Sequence, residues 1–335
     1  MNSTEKKIRI AINGFGRIGR AFYKLASSIP ELEVVAVNDL GDRENLEYLL
    51  KHDSVYGMWD GSFKAQFISE KDPATLPWKD LDIDIVVESS GAFENYERAR
   101  PHLTAGAKRV VITAPAKDED SDDAKTVLMG INEDDLNVCK ITSNGSCTTN
   151  SASPLMQILS EKLGIKKAFL NTVHGYTATQ SLTDSTTKGA DFRRGRAAAI
   201  NIVPSTTGAA IAVGRAVHEL LGKFDGVAMR VPVSTGSLSS ICFVSKRDTT
   251  PEEINSMLEE SAKEDRWQGI FTTTREQIVS TDIIGNKHAA IADLSLTHVT
   301  QGDLCAVYSW YDNEMGYTNT LVQHVLKLGQ TLNEN

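Results

Sequence analysis

The chain has 335 residues, 41% hydrophobic and 24% charged, which are the proportions of a globular protein long enough for about two domains. Its formal net charge of -9 argues against nucleic acid or an anionic membrane surface as a main partner. No apolar run approaches the ~20 residues that span a bilayer, and the polar start Met1–Lys7 lacks the apolar core of a signal peptide. The four cysteines are too scattered for a disulfide framework, so we expect a reduced, cytoplasmic setting: they are Cys139, Cys147, Cys242 and Cys305.

The first predicted strand leads into a glycine-rich turn. The apolar strand Ile8–Ile12 runs into Asn13–Gly19, a helix follows, and a second strand, Val34–Val37, ends near Asp39. This order of strand, G-x-G-x-x-G, helix, strand and acid is the fingerprint of a dinucleotide-binding site. The three glycines are expected to permit the tight turn, to let the backbone approach a pyrophosphate and to let helix and strand pack closely. They are, in that order, Gly14, Gly16 and Gly19.

Asp39 bears on the choice of cofactor. It lies twenty residues after Gly19, where a carboxylate can accept hydrogen bonds from the adenosine ribose hydroxyls. A carboxylate there would repel the 2′-phosphate of NADP, so the sequence favours NAD. Two cations lie nearby in the sequence, Arg17 and Arg43, and for each a solvated surface position is the default expectation.

Strands and helices continue to alternate through the first half of the chain. Continuous apolar strands separated by helices predict an α/β fold, a Rossmann-type doubly wound parallel sheet. Turns at the carboxyl ends of the strands, such as 89–91 and 113–115, are expected to line the cofactor crevice. The acidic run 118–123 is interpreted as a solvated loop rather than a metal site. The predicted strands are 83–88, 109–113, 125–129 and 140–143, and the predicted helix 94–107 is broken near Pro101.

A cysteine, Cys147, lies where a predicted strand gives way to a predicted helix. Apolar residues at helical spacing follow it, and Gly164 ends the helix. We place Pro154 in about the first turn, where a backbone N–H has no intrahelical partner. The positive end of a helix dipole favours the thiolate, which is the nucleophilic form of cysteine. The alternative is that Cys147 is a small buried hydrophobe, as most free cysteines are.

Three features downstream also suggest chemistry. His174 ends a predicted strand and is a candidate base partner for a cysteine, although a lone histidine is often only a structural polar residue. Thr206–Gly208 precede the predicted helix 211–221, where hydroxyl and N–H groups suit a small anion or simply cap the helix. The polar segment Ser181–Gly195 is predicted to be an extended loop, and loops of this length are usually functional or disordered.

The remaining elements predict a second kind of domain. Several strands cluster with few intervening helices, which favours an α+β domain with a mostly antiparallel sheet. Thr250–Glu253 is a capping box that begins a helix. A closing amphipathic helix is predicted over 317–328, and the strands are predicted over 168–173, 229–233, 238–244, 291–296 and 304–310.

Six separated motifs stand out in the chain: Asn13–Arg20, Ser146–Asn150, His174–Gln180, Pro204–Ala210, Arg230–Pro232 and Trp310–Tyr317. Together, and in this order, they resemble the phosphorylating glyceraldehyde-3-phosphate dehydrogenase family over essentially the whole chain. The resemblance implies an NAD-dependent oxidation of glyceraldehyde 3-phosphate to 1,3-bisphosphoglycerate in glycolysis or gluconeogenesis, carried out by a homotetramer. It also implies an NAD-binding domain over 1–150, joined by the C-terminal helix 314–335, and a catalytic domain over 151–313.

The resemblance further assigns roles to single residues. Cys147 would attack the aldehyde to form a thiohemiacetal, and His174 would promote the thiolate and act as acid and base while hydride passes to the nicotinamide. Inorganic phosphate would then attack the resulting thioester to give the acyl phosphate. The substrate phosphate is assigned to Thr177 and Arg230, and the attacking phosphate to Ser146, Thr148, Thr207 and Gly208, with Arg194 joining one of these anion sites. The NAD contacts are assigned to Gly14, Gly16, Arg17, Ile18, Gly19, Asp39, Lys71, Thr113 and Asn313.

The chain departs from the family pattern at three places. Ser151 stands where the family usually has a second cysteine, so a disulfide with Cys147 is excluded and activity is expected to survive. Gly175 replaces the usual Ala or Ser after the histidine. The long loop carries Lys188 and lacks its common proline, and because that segment helps to discriminate NAD from NADP, NADP stays an alternative cofactor.

Two other functions stay open at this point. Erythrose-4-phosphate dehydrogenase shares the cysteine, the histidine and the fold, although Tyr176–Gln180 looks more like the glyceraldehyde-3-phosphate enzyme. A non-catalytic dinucleotide-binding or regulatory protein is the alternative of another class. The intact Cys147, His174 and anion sites argue against it.

Overall fold

The computed structural model describes residues 6–187 and 190–333, which form two compact units. The first unit runs up to Ser146 and resumes at Thr318, and the second spans Cys147–Tyr317. Lys188, the departure noted in the long loop, lies outside the described residues.

The first unit is built on a parallel sheet. Its strands, within the described residues, are β1 (Ile8–Asn13), β2 (Leu32–Asn38), β3 (His52–Asp53), β4 (Gly57–Met58), β5 (Gln66–Ile68), β6 (Ile85–Glu88), β7 (Arg109–Ile112), β8 (Ala124–Thr126) and β9 (Ile141–Ser143). Seven of them form one sheet in the order β5-β2-β1-β6-β7-β9-β8, and every neighbouring pair is parallel. The short strands β3 and β4 form a separate antiparallel hairpin. The predicted Rossmann-type sheet is therefore confirmed.

The strand order places a topological switch point beside β1. The chain passes from β1 to β2 on one side and later to β6 on the other. In open α/β sheets, ligands bind outside the carboxyl ends of the strands at such a point. The residues at these ends are Asn38 on β2, Asn13 on β1 and Glu88 on β6.

The helices that alternate with these strands are short. The predicted helix over 94–107 is two pieces that meet at Arg100, because Pro101 has no backbone N–H to continue the first piece. A helix that was not predicted follows β2, and Asp42 caps its start by accepting a hydrogen bond from the backbone N–H of Asn45. The helices are α1 (Arg17–Ala26), α2 (Arg43–Lys51), α3 (Tyr96–Ala99) and α4 (Pro101–Thr104).

The second unit is a mixed sheet covered by helices. The helices are α5 (Cys147–Lys162), α6 (Ala209–Ala216) and α7 (Pro251–Ser261), and the strands are β10 (Ile165–Gly175), β11 (Val203–Thr206), β12 (Phe224–Val231), β13 (Ser237–Ser245), β14 (Phe271–Thr274), β15 (Ala290–Asp293), β16 (His298–Thr300) and β17 (Leu304–Tyr311). The sheet order is β11-β12-β10-β13-β17-β15-β14, with β16 on β17. Two pairs, β10–β12 and β14–β15, are parallel and the others are antiparallel, which confirms the mostly antiparallel second sheet. The last helix, α8 (Met315–Asn333), belongs to the first unit from Thr318 onwards.

The prediction that Pro154 lies in the first helical turn is wrong. α5 begins at Cys147, so Pro154 is an interior residue, whose missing N–H cannot bond to the carbonyl of Asn150. The helix nevertheless continues to Lys162. Twelve of its sixteen residues are buried, so tertiary packing rather than intrinsic propensity stabilises it.

Other predicted boundaries moved by a few residues. The strand predicted over 291–296 ends at Asp293, whose side chain accepts from the Ser295 N–H and caps a 3-10 turn. The helix predicted over 211–221 begins earlier and ends at Ala216, before a second 3-10 turn. The strand predicted over 125–129 ends at Thr126, and the loop 181–195 contains the 3-10 helix Phe192–Gly195.

Candidate active site

Cys147 and His174 meet in the second unit. Cys147 is the first residue of α5, and its Sγ lies 3.3 Å from His174 Nε2, near the end of β10. Side chains of β10 alternate between the two faces of the sheet, and His174 belongs to the buried set with Leu170 and Thr172. His174 is only 1% exposed, whereas Cys147 is partly accessible. A nucleophile within reach of a base is the arrangement that covalent catalysis requires.

The other ring nitrogen of His174 has two competing neighbours. Nδ1 lies 2.6 Å from the carbonyl oxygen of Gly175, which can only accept, so this contact requires Nδ1–H and leaves the Nε2 lone pair facing Cys147. Nδ1 also lies 2.6 Å from Arg230 Nη1, which can only donate and therefore favours the proton on Nε2. The site can hold the imidazole proton on either nitrogen, as a group that acts first as base and then as acid requires.

Burial decides the charge of the pair. Burial, together with the smaller effect of the Arg230 charge, lowers the pKa of His174 to about 3, so the imidazole is neutral at pH 7. Burial also raises the pKa of the Cys147 thiol, against the opposing effects of Arg230, the Thr148 hydroxyl and N–H groups at the start of α5. The resting pair is a neutral thiol facing a neutral imidazole.

Tyr311, which the sequence analysis did not single out, supports both partners. Its hydroxyl lies 3.0 Å from Thr148 Oγ1 and 2.7 Å from Thr172 Oγ1, and its ring packs edge-on against His174 with 5.9 Å between centroids. Burial raises the pKa of Tyr311 to about 12, so it stays a neutral donor. The residue belongs to the motif Trp310–Tyr317, but only the sheet register reveals its neighbours.

Except for Ser146, the residue just before this unit begins, the predicted phosphate ligands lie on several elements of the second unit. Thr177 follows β10, and its hydroxyl lies 2.9 Å from that of Thr179, a second hydroxyl that the sequence analysis did not select. Thr207 precedes α6 and accepts from the Ala209 N–H through its Oγ1, at 3.2 Å, so its own proton is left to donate. Thr148 is buried against Tyr311.

Two arginines, Arg194 and Arg230, lie near these hydroxyl groups. The register of β11 and β12 places Val203 opposite Arg230 and Thr206 opposite Val227, so Thr207 and Arg230 lie at different levels of the strand pair. Arg194 Nη2 lies 3.5 Å from the carbonyl oxygen of Thr206, and the charge of Arg194 contributes to lowering the pKa of Arg230, after the larger effect of burial. Arg194 therefore lies near both predicted anion sites.

Asn313 has a fixed amide orientation. Its Oδ1 accepts from the Gly236 N–H at 3.0 Å and from the Ser237 hydroxyl at 3.2 Å. This orientation leaves Nδ2 as the donor of the amide, the group that recognition of a carboxamide oxygen requires.

The neighbours of Ser151 and Gly175 show how these two departures from the family pattern are accommodated. The Ser151 hydroxyl is buried 3.3 Å from Ser309 Oγ and 3.4 Å from Ser239 Oγ, within a group of hydroxyls. A Cβ at Gly175 would lie 2.9 Å from the carbonyl oxygen of Val233, so this backbone has little room for the usual Ala or Ser.

The glycine turn of the first unit fits a dinucleotide. Gly14 has φ +96°, and a Cβ there would lie 2.4 Å from Ser90 Cα, while a Cβ on Gly19 would lie 2.2 Å from the carbonyl oxygen of Gly14. Beside Gly16, in contrast, no atom lies within 4 Å of the Cβ position, and this exposed residue caps α1 without a side-chain hydrogen bond. The open backbone at a helix N-terminus suits a pyrophosphate, so the residues present fit NAD.

The other predicted cofactor residues gather at the same end of the sheet. The Asp39 carboxylate accepts from the backbone N–H groups of Phe15, at 2.6 Å, and Gly41, at 2.7 Å, and retains lone pairs for ribose hydroxyls. Arg17, which was expected at a solvated surface, forms an ion pair with Asp53 at 3.3 Å. Arg17 and Ile18 begin α1, Lys71 lies three residues after β5, and Thr113 follows β7 and donates to the carbonyl oxygen of Glu88.

Residues 6–187 and 190–333, which the structure describes, were compared with the requirements of a membrane span and of a metal site. Over that part of the chain, no helix combines the length and hydropathy that a membrane span needs. No group of three or more His, Cys, Asp or Glu side chains there could hold a metal ion.

A Rossmann-type unit with an open glycine turn and a second unit with a cysteine–histidine pair define a class, the dinucleotide-dependent oxidoreductases that act through a cysteine nucleophile. Two protein-family models specify it further: residues 8–96 match "Glyceraldehyde 3-phosphate dehydrogenase, NAD binding domain", and residues 146–313 match "Glyceraldehyde 3-phosphate dehydrogenase, C-terminal domain". The chain belongs to the glyceraldehyde-3-phosphate dehydrogenase family, whose members are NAD-dependent oxidoreductases acting on an aldehyde.

Full-length relatives agree with this assignment. A glyceraldehyde-3-phosphate dehydrogenase of Mycobacterium avium is 44% identical, covering 97% of this chain and 99% of the relative. One of Streptomyces coelicolor is 42% identical with the same coverage, and one of Clostridium pasteurianum is 42% identical over 94% of this chain and 96% of the relative.

Proposed function

We propose that this protein oxidises glyceraldehyde 3-phosphate to 1,3-bisphosphoglycerate, with NAD as hydride acceptor and inorganic phosphate as second substrate. The observation that carries the proposal is Cys147 Sγ at the start of α5, 3.3 Å from His174 Nε2. The names of the relatives specify the aldehyde, and a role in glycolysis or gluconeogenesis follows from this reaction.

The chemistry begins with a proton transfer. The neutral His174 Nε2 accepts the Cys147 proton as the sulfur attacks the aldehyde carbon, and Nε2–H returns a proton to the carbonyl oxygen to complete the thiohemiacetal. NAD, when bound, accepts the hydride from the substrate carbon. At that stage Nε2 removes the hydroxyl proton, which leaves a thioester on Cys147.

Phosphate completes the reaction. A phosphate oxygen attacks the thioester carbon, the C–S bond breaks, and the sulfur leaves as a thiolate at the N-terminus of α5, where the helix dipole and the charge of Arg230 stabilise it. The product is the acyl phosphate, and the proton held by His174 returns to the sulfur.

The phosphate ligands are part of the proposal. Thr177 and Arg230 hold the substrate phosphate, and Ser146, Thr148, Thr207 and Gly208 hold the attacking phosphate. Arg194 contributes to an anion site, which its contact with the carbonyl oxygen of Thr206 and its electrostatic effect on Arg230 support.

The cofactor contacts are proposed in the same way. The glycine turn receives the pyrophosphate, Asp39 the adenosine ribose, and Asn313 donates to the nicotinamide carboxamide. Arg17, Ile18, Lys71 and Thr113 contribute the remaining contacts. We also propose that residues 1–150 with 314–335 act as the NAD-binding domain and 151–313 as the catalytic domain.

We propose a homotetramer located in the cytoplasm. One face of the mixed sheet carries exposed apolar side chains, Phe169 at 47% and Val173 at 40% on β10. Such a face is typical of a subunit interface. The long loop adds exposed Leu182 and Phe192. The free cysteines, of which Cys147 must stay reduced for catalysis, are consistent with a reducing compartment.

Substrate choice tests the proposal. We expect kcat/KM to be higher for glyceraldehyde 3-phosphate than for erythrose 4-phosphate, and Cys147→Ser to abolish NADH formation with either. Cys242→Ser, which alters an exposed cysteine on β13, is the matched control and should keep full activity. A preference for erythrose 4-phosphate, or activity in Cys147→Ser, would contradict the proposal.

A further inference from the structure

Three polar side chains lie in register across the switch point of the first unit. Asn13 on β1 pairs with Asn38 on β2 and with Glu88 on β6, at the carboxyl ends of the three strands. All three are buried, with Glu88 only 2% exposed. Asn38 Nδ2 donates to Asn13 Oδ1 at 2.7 Å, and Asn13 Nδ2 donates to Glu88 Oε2 at 2.5 Å, so the row is hydrogen-bonded along its length. Buried polar groups of this kind need such partners.

Glu88 accepts hydrogen bonds on both carboxylate oxygens. Oε2 accepts from Asn13 Nδ2 and from His102 Nε2, the latter at 3.0 Å. Oε1 accepts from the backbone N–H of Ser90 at 2.8 Å and from its hydroxyl at 2.5 Å. Four donors occupy the roughly four lone-pair positions of a carboxylate.

The tautomer of His102 is set by a tryptophan. Trp78 Nε1 lies 3.0 Å from His102 Nδ1, and an indole N–H can only donate. Nδ1 must therefore accept, which places the imidazole proton on Nε2, pointing at Glu88. Trp78 and His102 are both 0% exposed, so no solvent replaces these partners.

This network is joined to the glycine turn. Gly14 N donates to the Asn38 carbonyl oxygen at 2.8 Å, and the Ser89 hydroxyl donates to the Gly14 carbonyl oxygen at 2.6 Å. The backbone of residues 89–90 also packs directly against Gly14, with no room for a side chain between them. Glu88 accepts hydrogen bonds from Ser90, which packs against Gly14, and from Asn13, the residue just before Gly14. It therefore fixes the backbone on both sides of this contact.

We infer that Glu88 and His102 are positioning residues for the dinucleotide: without touching it, they fix the Gly14–Gly16 turn in the form that receives the pyrophosphate. The inference rests on the proposed role of this turn in binding NAD. It extends that role to a buried carboxylate–imidazole pair on β6 and α4.

A carboxylate is specifically required at position 88. Glutamine would replace one acceptor oxygen by an NH₂ group, which is a donor. In one orientation this group would face the donors of Ser90, and in the other it would face those of Asn13 and His102, so donor would oppose donor in both. His102 cannot relieve the conflict by changing tautomer, because Nδ1–H would then oppose Trp78 Nε1–H. We therefore expect Glu88→Gln to loosen the turn without a change of side-chain size.

The test compares NAD binding by calorimetry, unfolding temperature of the NAD-free protein and kcat at saturating NAD. Glu88→Gln should raise the Kd for NAD about tenfold, the effect of losing about 1.4 kcal/mol, while kcat stays within about twofold. The matched control is Asp84→Asn, a buried carboxylate just before the other end of β6 that accepts from Arg9 N and Lys108 Nζ. Asp84→Asn should lower the unfolding temperature and leave the Kd unchanged.

A second pair of variants serves if Glu88→Gln does not fold. His102→Gln retains a donor near the position of Nε2 and should keep most of the NAD affinity that His102→Ala loses. An unchanged Kd in Glu88→Gln, or equal Kd values in both His102 variants, would overturn the inference. Asp39→Asn distinguishes a failure of the positioning role from a failure of the proposed NAD site. If Asp39→Asn weakens NAD binding and Glu88→Gln does not, only the positioning role is wrong. If neither variant weakens NAD binding, the proposed NAD site itself is wrong.

Discussion

At the scale of single residues, the charge of Arg230 acts on both partners of the proposed catalytic pair, Cys147 and His174. It lowers the pKa of Cys147, which favours the thiolate, and it lowers the pKa of His174, which disfavours the imidazolium. The two effects together keep the histidine neutral and able to accept a proton while easing the departure of the sulfur. Arg230 therefore has an electrostatic role beside its proposed contact with phosphate.

This role predicts the pH dependence of Cys147 reactivity. In Arg230→Leu the thiol loses a nearby positive charge, so its pKa rises further and the rate of alkylation by iodoacetamide should increase only at higher pH. Alkylation rates from pH 6 to 10 give the measurement, and Arg230→Lys, which keeps a positive charge, is the control. An unchanged alkylation profile in Arg230→Leu would show that the charge does not reach the thiol.

Another buried histidine, His324, should affect stability rather than catalysis. His324 is 0% exposed between Asn144 Oδ1 and Thr142 Oγ1, and burial lowers its pKa to about 3. Because the unfolded value is about 6.5, the unfolded chain binds more protons between about pH 3 and 6.5, and stability falls as the pH drops through that window.

The matching experiment is chemical unfolding of wild type and His324→Asn from pH 7.5 to 4.5. The variant should be less stable at pH 7, and its stability should fall less steeply on acidification, by up to about 1.4 kcal/mol per pH unit. Parallel pH profiles for the two proteins would mean that His324 is protonated without loss of the fold.

Residue-scale chemistry was only partly visible in the sequence. Cys147 and His174 could be proposed because a helix start and a strand end are local patterns. Tyr311 could not, since its hydroxyl meets Thr148 and Thr172 only through contacts between residues more than 100 positions apart. The Glu88 network likewise depends on the parallel register of β1 and β6.

At the scale of elements, the glycine turn of the first unit is under tight steric constraint. Gly14 combines a left-handed φ of +96° with a backbone neighbour 2.4 Å from its Cβ position. The strand, turn and helix around it were predictable because each glycine has its own steric reason. The interior position of Pro154 was not, because the packing of α5 sets where that helix begins.

Gly14→Ala should therefore abolish measurable NAD binding, because the turn must move away from Ser90. Gly222→Ala is the control, since Gly222 has φ +72° with no atom within 4 Å of its Cβ position. It should show only the backbone cost of about 1–2 kcal/mol in stability and an unchanged Kd. Calorimetric titration with NAD measures both variants, and wild-type affinity in Gly14→Ala would be incompatible with this account of the turn.

At the scale of the whole molecule, the exposed apolar face of the mixed sheet predicts assembly. Phe169→Lys should shift the protein from the mass of the proposed tetramer to smaller species, because a charge would be buried in the proposed interface. Val138→Lys, which alters an exposed residue of the first unit at 60% exposure, should keep the wild-type mass. Analytical ultracentrifugation distinguishes four copies of the 36.6 kDa chain from fewer, and a Phe169→Lys protein of unchanged mass would place the interface elsewhere.

Phosphate dependence tests the central claim most directly. NADH formation from glyceraldehyde 3-phosphate is followed in a rapid-mixing instrument, with and without inorganic phosphate, for wild type and Cys147→Ser. The Cys147 thioester predicts steady turnover only with phosphate, a single burst of about one NADH per active site without it, and no signal from Cys147→Ser. Equal steady-state rates with and without phosphate, or a burst from Cys147→Ser, would contradict the mechanism.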